Sequence, residues 1–233
     1  MLTMNNLITI TTDLGDQFAT SQLKAVIYSL GFTGQLIENH GVVPFSVIEG
    51  SYGIWQLSKY CPKNTIHVGI VDPGVGSDRN GIIIKTQDFW FVGPDNGLFW
   101  EAANRDNILN IWKINEKFFC QVSNTFHGRD VFVKVAVLLS QDKYPDDFDC
   151  TPIKKIKRLE FKEGQVLHID NYGNAKIYGN NTFGLPLVKT FSDVKPDQPL
   201  ILNGSSDLLE LAVNQGSAKD LFGLQLGQVI EKL

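Results

Sequence analysis

The sequence is poor in cysteine. Cys61, Cys120 and Cys150 are its three, an odd number, far apart and in no C-x-x-C pair. That argues against a disulfide framework and a cysteine zinc site, and the thiols read as free ones in a reducing compartment, so the expected location is cytoplasmic. The chain also lacks a surplus of positive charge. Its formal net charge of -4 leaves no basic footprint, and nucleic acid is not an expected partner. No apolar run approaches the ~20 residues that cross a bilayer. Residues 1–6 have neither a basic n-region nor a long apolar h-region, so neither a membrane partner nor a signal peptide is expected. Internal repeats, low-complexity tracts, G-x-G-x-x-G, a P-loop, H-x-H and H-E-x-x-H are all missing. What remains is ordinary for a soluble globular protein: 43% hydrophobic and 20% charged over 233 residues, enough for one large domain or two small ones with a real core.

The pattern divides in two. Up to about residue 150, β-branched runs alternate with amphipathic ones. Strands are expected at 7–12, 35–38, 65–71, 81–84, 89–92 and 108–112, and a short helix at 98–103. A further helix carries Ala19, Leu23, Val26, Ile27 and Leu30 on one face, and another is opened by Ser46 and Glu49 as a capping box. The run 131–139 is apolar nearly all round and reads as a buried helix. Such alternation predicts an α/β domain over residues 1–150 with a mostly parallel sheet flanked by helices. Residues 151–163 hold Lys154, Lys155, Lys157, Arg158 and Lys162 and read as a solvated connector. Residues 164–233 hold short runs between Gly, Asn and Asp turns, which predicts a smaller all-β, barrel-like domain.

Three expected strands end at a carboxylate or a turn that contains one. Thr12 leads to Asp13, Val71 to Asp72, and residues 89–92 to the turn with Asp95. In an α/β sheet such strand ends form the rim where ligands bind. After Asp72 the turn Pro73-Gly74-Val75-Gly76 delivers Arg79, and a plain salt-bridged turn satisfies that pattern as well as a site does. Asp13 could equally cap the following helix, or hold the two hydroxyls of a ribose. Phe45 precedes the cap at Ser46, the place for a hydrophobic staple or for an aromatic pocket wall. His127 begins a helix beside Gly128, where an imidazole can accept a proton or orient a water. Asp13, Asp72 and Asp95 with His127 could instead ring a divalent ion, in a spacing that matches no known metal motif. In the β half, the turn Asp170-Asn171-Tyr172-Gly173-Asn174 and the stretches around Ser205 and Gln215 are rich in donors and acceptors, as turns are and as a site for a purine and a zwitterion would be.

Taken together, Thr11-Thr12-Asp13-Leu14-Gly15, Val71-Asp72-Pro73-Gly74-Val75-Gly76-Ser77, Gly93-Pro94-Asp95-Asn96-Gly97-Leu98, Thr125-Phe126-His127-Gly128-Arg129-Asp130 and Leu209-Glu210-Leu211-Ala212-Val213-Asn214-Gln215-Gly216-Ser217 resemble the S-adenosyl-L-methionine (SAM) hydrolases, or SAM hydroxide adenosyltransferases. These are relatives of the SAM-dependent fluorinase and chlorinase. The resemblance implies attack of water or hydroxide at ribose C5′, releasing adenosine and L-methionine, with SAM as substrate and no cofactor or metal. It implies that Asp72, Arg79 and His127 act on the water. The halogenases carry Tyr at the places of Asp72 and His127, and the fluorinase a halide-binding Ser at Gly128, so the resemblance favours hydrolysis. It further implies Asp13 on the ribose, Phe45 as a pocket aromatic, and Asp170, Tyr172 and Asn174 toward methionine. Ser205, Ser206, Val213 and Gln215 complete the adenine and methionine contacts, and a homotrimer with pockets between subunits is implied. This chain departs from the usual pattern in Leu14 for Phe, Tyr172 for Phe, and Ile177-Tyr178 for Thr-Asn. The readings outside this family are a metal-dependent hydrolase and a catalytically silent SAM or adenosine binder.

Overall fold

The structure, a computed structural model, describes residues 7–15 and 18–233. The reading of residues 1–6 lies outside the described residues. The chain divides into two compact units, the first ending at Leu159 and the second beginning at Glu160.

In the first unit the strands are β1 (Leu7–Thr12), β2 (Gln35–Asn39), β3 (Ile66–Ile70), β4 (Gly81–Thr86), β5 (Trp90–Pro94), β6 (Ile108–Lys113) and β7 (Thr151–Pro152). Its helices are α1 (Phe18–Ser29), α2 (Val47–Ser58), α3 (Trp100–Arg105) and α4 (Val133–Ser140). The strands form one seven-stranded sheet in the order β2-β1-β3-β5-β4-β6-β7. The pairs β1–β2, β1–β3 and β3–β5 are parallel, whereas β4–β5, β4–β6 and β6–β7 are antiparallel. The sheet is therefore mixed, not mostly parallel as expected from the alternation. The reason is local. A parallel pair needs a crossover of about a dozen residues or more. Residues 87–89 are too few, and Thr86 closes them as a tight return: its N–H and Oγ1 both bond the Phe89 carbonyl.

Side chains alternate across this sheet. Ile8 and Ile10 of β1, Ile66, Val68 and Ile70 of β3, Ile83 of β4 and Val92 of β5 join one core with Leu23 and Ile27 of α1 and Val133, Ala136 and Val137 of α4. The intervening positions, including Thr9, His67, Gly69, Phe91 and Gly93, face the other way. There Leu98 and Phe99, both fully buried, lead into α3, which packs on α2. Because β1, β3 and β5 run parallel as neighbours, their C-terminal ends emerge at one edge. That edge carries Asp13, Asp72 and Asp95.

His67 is fully buried in the centre of β3, stacked on Phe91 and edge-on to Phe89. Its Nδ1 meets Thr9 Oγ1 at 2.8 Å, and its Nε2 has no hydrogen-bond partner among the described residues. Burial pushes this imidazole down from 6.5 to about 3. The unfolded chain takes up a proton at the ordinary value and the folded chain only near 3, so stability is complete above about pH 6.5 and is lost as pH falls toward 3. Between pH 7.5 and pH 5 this one group is expected to cost about 2 kcal/mol. Urea midpoints at the two pH values check this, with His67→Phe lacking that share of the slope.

The second unit holds β8 (Val166–Ile169), β9 (Ala175–Ile177), β10 (Leu187–Val188), β11 (Pro199–Asn203), β12 (Leu209–Val213) and α5 (Ala218–Phe222). Its five strands lie in the order β10-β11-β12-β9-β8. Only β10–β11 is parallel. The row is open: among the described residues β10 and β8 are not paired with each other, so no barrel closes as the Gly- and Asx-rich turns had suggested. Closure requires coordinated strand tilt and stagger, and β10, of two residues, is too short to supply it. Val166, Ile177, Ile201, Leu209, Leu211 and Ile230 form its core.

Candidate active site

The loop after β3 folds back on itself. The Asp72 carbonyl accepts from Val75 N–H, and the Gly74 carbonyl from Ser77 N–H and Oγ. Gly76 stands at φ +77°, and a Cβ there would meet the Asn124 carbonyl oxygen at 2.5 Å, so only glycine lets the loop close on that segment. The fold-back returns Arg79 to Asp72. Arg79 Nε lies 3.0 and 2.9 Å from the two carboxylate oxygens, and Nη2 lies 2.6 Å from Oδ2. The same Nη2 donates to His127 Nδ1 at 2.9 Å. The guanidinium also lies over the Phe132 ring, with Cζ 5.2 Å from its centroid. The Asp72, Arg79 and His127 side chains are 7%, 4% and 7% exposed. A cation so deeply buried needs its partners, and here two of them are the residues that the sequence singled out.

His127 begins a wide helical turn, Gly128–Phe132, that runs on into α4. The helix expected at 131–139 thus begins only at Val133, its first two residues belonging to a looser turn that holds the imidazole at its start. Gly128 packs against β3: a Cβ there would lie 2.6 Å from Ile70 Cγ2. Glu116, on the short turn Glu116–Phe118 after β6, completes the cluster. Its Oε1 lies 3.5 Å from Arg79 Nη1 and 3.4 Å from His127 Nδ1. No motif marks Glu116, a lone acidic residue far along the chain from Arg79.

Beside this cluster a cavity of about 340 Å³ is lined by Asp13, Pro44, Phe45, Ile70, Asp72, Phe126 and His127 among others. A volume of that order suits a small-molecule ligand. Arg79 and Glu116 are not in the lining; they stand behind Asp72 and His127. Asp13 Oδ2 accepts the Phe45 N–H at 2.7 Å, tying the end of β1 to the loop before α2. Phe45 is 74% exposed at φ +67°, so it is no staple and forms part of the cavity wall. Ser46 caps α2 by accepting the Glu49 N–H, whereas the Glu49 carboxylate takes the Val43 N–H and leaves the box incomplete. Asp95 lies away from the lining. Its Oδ1 accepts the Lys157 N–H at 2.7 Å, and the neighbouring Asn96 Nδ2 donates to the Val71 carbonyl. Among the described residues no group of three or more His, Cys, Asp or Glu is arranged to hold a metal ion, and no helix is long and apolar enough to cross a membrane.

In the second unit, Asp170 organises its turn. Oδ1 accepts the Tyr172 and Asn174 N–H groups at 2.9 and 3.0 Å, and Oδ2 accepts Asn174 Nδ2 at 3.2 Å. Gly173, at φ +82°, lies so close to Ser217 that a Cβ would strike it, and its carbonyl accepts the Lys219 N–H. The turn therefore sits beside the segment that follows Val213 and Gln215. Tyr172 projects into solvent, Asn174 and Val213 are buried, and Gln215 is exposed. Exposed Ser205 and buried Ser206 lie in the turn between β11 and β12, at the opposite end of β12 from Val213.

Comparison with known proteins adds to this geometry. The profile of the SAM hydroxide adenosyltransferase N-terminal domain matches residues 8–149, and that of the C-terminal domain matches residues 175–231. An (R)-S-adenosyl-L-methionine hydrolase of Methanocaldococcus jannaschii is 33% identical, over 72% of this chain and 65% of its own length. The protein of that name from Thermus thermophilus is 32% identical over 83% of this chain and 86% of its own. A crystal structure of an uncharacterized conserved protein from Thermotoga maritima superposes with a TM-score of 0.86 at 28% identity, covering 94% of this chain and 97% of the other.

Proposed function

This chain belongs to the SAM hydroxide adenosyltransferase family, and from that premise we propose that it hydrolyses S-adenosyl-L-methionine to adenosine and L-methionine. The observation that carries the reading is the buried Asp72–Arg79–His127 cluster at the wall of a ligand-sized cavity. The substrate is a sulfonium, whose positive charge vanishes as the thioether leaves. A pocket that excludes bulk water therefore assists, provided that it delivers a well-placed nucleophile with some anionic character. Asp72 and His127 face the cavity and position the water in line with C5′, where orientation alone contributes several kcal/mol. Arg79 fixes both from behind and stabilises negative charge as it develops on oxygen. The oxygen–C5′ bond forms while the C5′–sulfur pair leaves with methionine.

Asp13 is assigned to the ribose hydroxyls and Phe45 to a wall of the pocket. Asp170, Tyr172, Asn174, Ser205, Ser206, Val213 and Gln215 are assigned to methionine and adenine. A homotrimer in the cytoplasm, with pockets shared between subunits and no added cofactor, completes the proposal. The contact of Gly128 with Ile70 supports water over halide, since a side chain where the fluorinase carries its Ser would require Ile70 to shift.

The test is direct. Incubation with SAM in heavy-oxygen water should give methionine and adenosine labelled at the 5′ oxygen. Full activity after exhaustive chelation is expected. Loss of activity that a divalent ion restores would favour the metal-dependent reading, and tight SAM binding with no methionine released would mark a silent binder.

A further inference from the structure

We propose that Glu116 is a positioning residue: from behind the cavity it fixes the Arg79 guanidinium so that His127 presents an Nε2–H, not a lone pair, to the attacking water. The inference rests on the hydrolase reading above. A guanidinium can only donate. Asp72 takes the Nε hydrogen and one from Nη2, and the other Nη2 hydrogen falls on His127 Nδ1 at 2.9 Å. Glu116 Oε1 stands 3.5 Å from Nη1 and 3.4 Å from the same Nδ1.

Nδ1 cannot serve both neighbours. It either accepts from Arg79 or, carrying a proton, donates to Glu116. A proton on Nδ1 would face an Nη2–H at 2.9 Å, two donors with no lone pair between them. The shorter contact therefore makes Nδ1 an acceptor, and a neutral imidazole then holds its proton on Nε2. That leaves Nη1 for Glu116. With Asp72 on one side and Glu116 on the other, the guanidinium plane is held against rotation, and the Nη2 hydrogen stays on His127. Glu116 is itself held by its short turn, where Asn115 Oδ1 caps the Lys117 N–H at 3.2 Å.

The consequence reaches the reaction. His127 donates to the water oxygen and does not take its proton at the outset. As the oxygen–C5′ bond forms, that proton passes to an acceptor on the cavity side; Asp72 is the carboxylate of the cluster that lines the cavity. From there it goes to solvent. Glu116 reaches the water only through Arg79 and His127.

Nitrogen NMR of the histidine-labelled protein tests this without relying on turnover. The chain has four histidines, and the His127→Gln variant assigns the signal in question. In the wild type, Nδ1 of His127 should appear unprotonated and Nε2 protonated. In Glu116→Ala the signals should move toward a mixture of the two forms. In that variant kcat should fall about tenfold with KM changed by less than about twofold. An unchanged melting curve in Glu116→Ala is the control for folding. A wild-type His127 protonated on Nδ1 would overturn the proposal, as would a Glu116→Ala protein with unmoved His127 signals and wild-type kcat. If the wild type leaves SAM intact, the hydrolase reading fails, while the His127 spectra still decide what Glu116 does.

Discussion

Replacing Asp72 by Asn is expected to lower kcat for SAM hydrolysis by about 10²- to 10³-fold, with KM within about threefold of wild type. The carboxylate has two tasks. Both its oxygens accept from Arg79, at 3.0, 2.9 and 2.6 Å, and it lines the cavity beside His127. An Asn amide keeps one acceptor oxygen and turns an NH2 group toward the guanidinium, so a donor meets donors. The buried cation loses its compensating charge, and the geometry that holds Nη2 on His127 relaxes. The negative charge available to draw on the water proton goes as well. The substrate, bound largely through its adenosine and methionine ends, should still associate. Initial rates of methionine release across a range of SAM concentrations separate the two effects. A loss confined to KM would remove Asp72 from the chemistry and leave it as a binding residue only.

The second large effect is on the fold. Gly93→Ala is expected to destabilise the protein by about 3 kcal/mol, the upper part of the usual range for an overpacked core. A Cβ at Gly93 would stand 2.4 Å from the Gly69 carbonyl oxygen of the neighbouring strand and 2.8 Å from the Phe99 ring. Gly69 is as tight: its Cβ would lie 2.5 Å from Leu98 Cδ2 and 2.8 Å from Phe99. Leu98 and Phe99 are fully buried, so neither ring nor chain can swing into solvent, and the backbone of β3 cannot withdraw without breaking its pairing with β1 and β5. Chemical denaturation at pH 7.5 measures the loss. This pair of glycines matters to the site as well, because Asp72 lies only two residues beyond Ile70, where β3 ends. A shift of β3 should therefore lower turnover in the folded fraction.

Much of this protein was legible in its residues. The β-branched runs marked β1, β3, β4 and β5 within a residue or two, since a strand buried on both faces leaves a largely apolar stretch. The three strand ends at Asp13, Asp72 and Asp95 were readable because chain order places turn residues directly after apolar ones. The pairing of Asp72 with Arg79 was also local, closed by a turn rich in glycine and proline. Family resemblance then linked that turn to His127, far along the chain.

Other features lay beyond the sequence. Alternation of strands and helices suggested a mostly parallel sheet, but the short β4–β5 return sets β4 antiparallel to both its neighbours and β7 pairs antiparallel with β6, and strand direction depends on which neighbours finally pair. Asp95 looked equal to Asp13 and Asp72; only packing showed its carboxylate committed to the Lys157 N–H. Phe45 could have been a staple or a wall, and a positive φ, together with its exposure, decided for the wall. Arg79 is not among the residues that line the cavity; it bonds Asp72 and His127, which are. Glu116 had no sequence signal at all, because its meaning comes entirely from two contacts made by residues distant in the chain. The sequence by itself determined the elements, the carboxylates at their ends and the family; tertiary structure decided which of those side chains meet, since hydrogen bonds between distant residues are set by packing and leave no periodicity to read.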